Sequence, residues 1–252
     1  NGRLLLRDRE LLTVDEAAAL AEAEKVAAEI DAFVQRRESS PYNKLILLSP
    51  IERQQSFEVQ VKVPQNDVGQ VTAVLQGDQL KINKHVHYRQ FDHYFLFEND
   101  DPDAARLRYR EDERLDENGN VFDVRTRLTL LGETSKEEVS NAVMLSRSRY
   151  LTTADRSLRF YREYFAPSVE IEVQKDRRRW RIVYQETEFA VNVDKLVQPE
   201  KAGHFLEIKA RTWSRSDAER KAALITELLQ LFGTDPEQAL RVEYAEIAVG
   251  AR

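Results

Sequence analysis

The stretch SFEVQVKV, residues 56–63, decides how the chain is to be read. A half-buried strand alternates its faces with a period of two. Phe57, Val59, Val61 and Val63 therefore point to an apolar core. Glu58, Gln60 and Lys62 share the opposite face. Such a face is either the wet side of an ordinary surface strand or the lining of a polar cavity. The remaining strands bear on that choice.

From Phe57 onward the pattern is mostly that of strands. LKINKHVHYRQ (80–90), FDHYFLF (91–97) and RLRYRED (106–112) read as strands, and NDVGQVTAVLQ (66–76) as a short helix. ENGN (117–120) predicts a hairpin turn centred on Asn118-Gly119. VFDVRTRLTLL (121–131) returns from it. Ser135 and Glu138 predict a capping box that opens a helical stretch running, with a break, through RSLRFYREYF (156–165). Strands resume with VEIEVQKDRRRWRIVY (169–184), TEFAVNVDKL (187–196) and GHFLEIKARTW (203–213). Ser216 and Glu219 predict the cap of a helix with Ile225, Leu228, Leu229 and Phe232 on one stripe, ended by Gly233. Asp235-Pro236 starts a last short helix. Ahead of all this, Thr13 and Glu16 predict a cap for a helix over about 14–37, with Val26, Ile30, Phe33 and Val34 on one side. The division expected is an N-terminal helical extension, 1–50, and a main domain, 51–252.

The same alternation applied to the other strands gathers charge. Arg108 and Arg110 share a face, as do Arg125 and Arg127. Lys175, Arg177, Arg179 and Arg181 share another; so do Asn192 and Asp194, and Glu207, Lys209 and Arg211. Lys62, Arg108, Arg110, Arg125, Arg127, Arg179, Arg181 and Lys209, set against Glu58, Asp194 and Glu207, leave about +5 in a chain of 252 residues whose formal charge is −6. For any one strand a solvated face explains the pattern. For the set, a closed antiparallel β-barrel of about eight strands with a polar inside explains it better, flanked by helices in an α+β fold. Arginines in a concave site favour oxyanions such as phosphate. A compact polyanion, a linear triphosphate, matches such a field.

Composition narrows the classes. Hydrophobic residues make up 42% and charged residues 33%, enough for a core under a charged surface. The acidic balance argues against a general nucleic-acid binder. Without cysteine there is no disulfide, thiolate or zinc-thiolate chemistry. No apolar run nears the roughly 20 residues of a membrane helix, and no signal peptide is visible. A cytoplasmic protein without membrane attachment is expected, and the missing initial Met suggests a piece of a longer one. No P-loop, dinucleotide fingerprint or GxSxG motif occurs. His85 and His87 share a strand face without a third ligand and read as surface histidines; His93 and His204 have no local partners in sequence.

In order along the chain these segments resemble the CYTH superfamily, or triphosphate tunnel metalloenzymes, which includes class IV adenylyl cyclases, thiamine triphosphatases and inorganic triphosphatases. EVQVK (58–62) is similar to its opening Glu-x-Glu-x-Lys strand. QFDHYF (90–95) leads to an Arg-x-Arg strand, here Arg108 and Arg110, and LTLLG (128–132) follows. A basic strand around Arg179 and Arg181, VNVDKL with Asp194, GHFLEIK, a long helix and RVEYAEI complete the series over roughly residues 55–247. The resemblance implies a triphosphate gripped by Lys62 and the arginines, with Glu58, Glu207 and Asp194 holding a divalent cation. It places Glu58, Lys62, Arg108 and Arg110 in a catalytic role.

The departures are specific. Gln60 replaces the second glutamate of the opening strand, Lys209 the last glutamate of the closing motif, and Leu131 a common lysine. Hard cations such as Mg²⁺ or Mn²⁺ want carboxylate oxygens, so at most one ion is expected. Two functions follow. One is a metal-dependent triphosphatase, with adenylyl cyclase the lesser variant. The other is a non-catalytic module that senses a nucleotide or polyphosphate and reports to an attached domain, or forms a homo-oligomer, through the N-terminal helix. A third reading is a scaffold whose cavity is filled by its own ion pairs. Nucleic acid is expected only as RNA 5′-triphosphate ends.

Overall fold

A computed structural model describes residues 6–7, 10–11, 13–48, 53–97, 106–131, 138–140, 143–200 and 203–249. The chain divides into two compact units, Asn1–Leu48 and Ser49–Arg252. In the first, strands β1 (Leu6–Arg7) and β2 (Glu10–Leu11) pair ahead of helices α1 (Glu16–Ser39) and α2 (Pro41–Leu48). The cap of α1 is Asp15, whose carboxylate accepts the Ala18 N–H at 3.0 Å, rather than Thr13. Val26, Ile30 and Phe33 are exposed; the side chain of Val34 lies outside those described.

The second unit is built on a sheet of nine antiparallel strands: β3 (Arg53–Gln65), β4 (Lys81–Leu96), β5 (Arg106–Leu115), β6 (Val121–Leu131), β7 (Glu138–Ser140), β8 (Val143–Thr153), β9 (Val169–Tyr184), β10 (Thr187–Gln198) and β11 (His204–Thr212). Their order is β3-β11-β10-β9-β4-β5-β6-β8-β7. In addition β8, which pairs with β6 on one side, pairs with β3 on the other, from Arg53↔Leu151 to Gln60↔Met144. Eight strands thus have a strand neighbour on each side. The α+β class and the antiparallel sheet are as expected. Two strand assignments differ. Residues 80–97, read as two strands, form the single β4, because nothing between Gln90 and Phe91 breaks the chain. Residues 143–153, read as part of a helix, form β8; Glu138 begins strand β7, and Ser135 lies outside the described residues.

One face of the strands is apolar and lies beneath helices. Val59, Val61 and Val63 of β3, Val191 of β10 and Ile208 of β11 pack with Val71 and Leu75 of α3 (Val68–Gln76) and with Ile225, Leu228 and Leu229 of α5 (Arg215–Leu231). Phe95 and Tyr109 meet Phe165 and Tyr161 of α4 (Leu158–Phe165), ring centroids 6.5 and 5.7 Å apart. The cap of α5 is Ser214, whose hydroxyl accepts the Asp217 N–H at 3.1 Å, rather than Ser216. The β5–β6 turn lies where Asn118-Gly119 predicts it. Gly119 takes φ 81°, and Asp116 Oδ1 accepts the N–H groups of Asn118 and Asn120 at 2.9 and 2.8 Å.

The opposite, inward faces change character along the strands' length. At one end they are apolar: Tyr94, Ile171, Val173, Leu196 and Phe205 surround Tyr244, Ala245 and Ala248 of the last helix, α6 (Tyr244–Val249). Helix α6 is thus packed into that end. The Tyr244 ring meets Phe205 edge-on at 5.8 Å, and the Leu240 N–H donates to the Lys62 carbonyl at 2.7 Å. Beyond this plug the inward positions are charged. Among the described residues no helix is long and apolar enough to cross a membrane.

Candidate functional site

A cavity of about 600 Å³ opens on the charged faces of the strands, beyond α6. Twelve cationic side chains line it, against five carboxylates. Of the sequence-predicted residues, Arg108, Arg110, Arg127, Arg179, Arg181, Lys209, Glu58 and Glu207 share this wall. Lys62, Arg125 and Asp194 do not.

Each exclusion has a cause. The Lys62 ammonium donates to the Val242 carbonyl at 3.0 Å, stands 3.8 Å from Glu243 and sits 3.9 Å over the Tyr244 ring. The segment before α6 has claimed it. Arg125 lies on β6 before Arg127, which pairs with the last residue of β8. Its side chain is 64% exposed and bonds Asp123 at 3.0 Å. Asp194 is wholly buried. One of its oxygens accepts from Arg177 Nε at 2.6 Å; the other accepts from Arg177 Nη2 and from the Tyr244 hydroxyl, the latter at 2.5 Å. It is a counter-ion with no oxygen to offer a metal.

Behind the cavity surface lies a buried polar network. Arg110 grips Asp92 with two bonds, 2.5 and 2.7 Å, and Lys175 Nζ stands 3.0 Å from the same carboxylate. Arg127 pairs with Asp112. Arg177 joins Asp194 to Glu207, at 2.8 Å from the latter, which also accepts from Asn192 at 3.2 Å. Although burial alone would raise the Asp92 carboxyl, Arg110 and Lys175 bring it well below the usual range. Burial pushes Lys175 down to about 7, assisted by Arg177 and Arg110 and opposed by Asp92 and Asp194. Asp92, Asp112, Glu243 and Tyr244 were not singled out from sequence. Lys175 and Arg177 were placed on the basic face but not among the candidates. The alternation of β4, β5 and β9 carries the signal for four of these six; no strand pattern carries it for Glu243 and Tyr244.

Two cavity cations make no direct ion pair among the described residues. Arg108, on β5 opposite Tyr94, has its Nε buried with no hydrogen-bond partner. Arg179, on β9 opposite Val86, donates from Nε to the neutral Asn192 at 2.7 Å and lies 5.6 Å over the Tyr88 ring. Burial, with Arg177 and Arg110 near, lowers Arg179 to about 10. They reach the cavity from different strands and at different heights.

The carboxylates do not fit a resident divalent cation. The Glu207 Oε1 that an ion would take is 3.1 Å from the Lys209 ammonium, and Arg177 holds the other oxygen. Gln60 donates to Glu243 at 2.7 Å, and its own carbonyl oxygen is buried without a partner. Glu58 alone stays half-buried on the wall, 4.0 Å from Arg211 Nε. Among the described residues a group of three His, Asp or Glu ligand atoms within 4.8 Å occurs elsewhere, at His93, Glu170 and Glu172 on the outer face. His93 thus has partners the sequence did not disclose, 2.8 Å to Glu170. Arg162 already neutralises both glutamates, at 2.8 and 3.1 Å. His87 bonds Asp176 at 2.9 Å, and His85 stacks on Trp180 at 4.4 Å.

No protein-family model and no curated protein matches the sequence. Solved structures do. The PH1819 protein of Pyrococcus horikoshii superposes with a TM-score of 0.55 at 16% identity, over 77% of this chain and 99% of that one. A candidate adenylate cyclase of Vibrio parahaemolyticus superposes with a TM-score of 0.53 at 14% identity, over 77% and 98%. The chain thus shares the fold of these two structures.

Proposed function

We propose that this protein binds a linear triphosphate, or a longer polyphosphate, in the cationic cavity, and that its own cations do the work a divalent metal would otherwise do. The observation that carries the reading is that Arg108 and Arg179 make no direct ion pair among the described residues, on the wall of a cavity where the buried carboxylates are already taken up by other cations. Burying an arginine without a counter-ion is costly unless a ligand supplies one. Multiple phosphoryl groups in a row supply it at two heights. The ring of paired strands acts in this reading as a closed tunnel wall. It keeps bulk water from the ligand and so strengthens each contact. Lys209 and Arg177 neutralise Glu207, which removes the repulsion a carboxylate would exert on the anion.

The test is calorimetric titration with inorganic triphosphate in EDTA at fixed ionic strength. Binding is expected without metal, and Arg108→Ala is expected to weaken it at least tenfold, as loss of a charge-assisted contact implies. Absence of binding by the wild-type chain would end the reading.

One observation favours hydrolysis as a second reading. Glu58 is a half-buried carboxylate on the same wall, with Arg211 Nε at 4.0 Å. Were a metal to arrive with the ligand, Glu58 is the group that would meet it, supplying the Lewis acid that phosphoanhydride cleavage uses. Release of phosphate from triphosphate in Mg²⁺ or Mn²⁺, lost in Glu58→Ala, would establish this; no release would leave the binding module.

A further inference from the structure

We infer that the ligand of this cavity carries a nucleobase, and that Trp213 is the surface on which the base stacks. The inference rests on the cavity being an anion site as proposed above. Trp213 is 78% exposed, the most exposed large hydrophobic side chain among the described residues, and it lines the cavity. No ring or cation lies against its faces among those residues. The chain's other tryptophan, Trp180, is 7% exposed and stacked on His85.

The strand places the indole. Lys209 and Arg211 of β11 are alternate residues on the cavity wall, and Trp213 continues the alternation one step beyond the strand's end. Four residues of extended chain rise roughly 13 Å from Lys209. Phosphoryl groups held among the inner cations would therefore leave the remainder of a nucleotide near the indole.

The neighbouring cations do not compete for that role. Lys221 Nζ lies 2.7 Å from Asp217 Oδ2, and Arg220 lies 3.1 Å from Asp217 Oδ1 while donating to Thr187 Oγ1 at 2.9 Å. Both are held in place by Asp217. The anion-binding charge without a partner is deeper, at Arg108 and Arg179. The cavity thus offers unpaired positive charge inside and a bare aromatic plane at its mouth. Inorganic polyphosphate has no apolar face, and the negative face of an aromatic ring does not attract an anion. A base has a π-face to offer. Stacking does not read base edges, so ATP and GTP should bind alike. Both should exceed CTP, whose smaller ring covers less of the indole.

The experiment titrates the full chain, Trp213→Ala and Trp213→Phe with ATP, CTP and inorganic triphosphate in EDTA, reading Kd by calorimetry and indole emission by fluorescence. The expected result is about a tenfold loss of ATP affinity in Trp213→Ala, a smaller loss in Trp213→Phe, and inorganic triphosphate unchanged within twofold. ATP should quench emission in the wild-type chain more than inorganic triphosphate does. The exposure of Trp213 leaves the fold of either variant untouched. Equal losses for ATP and inorganic triphosphate, or none for ATP, would overturn the stacking role while leaving the anion site standing. A wild-type chain that binds none of the three would overturn the anion site and this inference with it.

Discussion

Lys209 shows how one side chain changes what a site can hold. Its ammonium, 3.1 Å from Glu207, occupies the charge position of a cation. Lys209→Glu should therefore weaken triphosphate binding in EDTA by tenfold or more, and Mg²⁺ or Mn²⁺ should restore it; calorimetry with and without metal reads both. Lys175 adds a pH dependence. Its charged form is disfavoured by burial, so its pKa falls from 10.5 to about 7. Between about pH 7 and 10.5 the unfolded chain holds a proton the folded one lacks. The stability penalty is therefore full below pH 7 and is relieved as pH rises toward 10.5. Ligand affinity moves the other way. As Lys175 loses its charge above about pH 7, triphosphate binding should weaken, and Lys175→Met should flatten that part of the profile relative to wild type. At this scale the sequence was a fair guide to which strand face is charged, and the substitutions at Gln60 and Lys209 were legible from order alone. It could not show that Asp194 is spoken for by Arg177 and Tyr244, because that pairing joins residues 50 apart in the chain.

Elements were harder to read where two local signals competed. A Ser-x-x-Glu pattern at 135–138 suggested a helix, yet the chain from Val143 continues as β8, which lies between β6 and β3. Long-range pairing overrode local propensity there. The sequence pattern divides residues 80–97 into two strands and reads residues 143–153 as helix, and the two departures offset each other in the strand count. Helix α5 gives a clean test of the difference between pattern and geometry. Ser214 caps it, not Ser216. Ser214→Ala should lower stability by about 1 kcal/mol, whereas the exposed Ser216→Ala should stay within about 0.5 kcal/mol. Urea midpoints of the two variants decide it.

For the molecule as a whole, the inner network is the feature most exposed to failure. Arg177 neutralises two buried carboxylates, Asp194 and Glu207, from β10 and β11, and Tyr244 of α6 bonds the first of them. Arg177→Met should leave Asp194 without a counter-charge and Glu207 with Lys209 alone, and cost about 3–5 kcal/mol. Arg125→Ala, at a side chain 64% exposed, should be nearly silent. Denaturant unfolding of the pair measures the contrast.

The α6 plug has a consequence of its own for traffic. With one end of the charged face filled by Tyr244, Ala245 and Ala248, a guest bound as proposed would enter and leave by the other end. A long phosphate polymer could insert only its tip, leaving the tail in solvent. Grip should then count chain ends rather than chain mass, and lengthening the polymer beyond what the socket holds should add nothing per molecule.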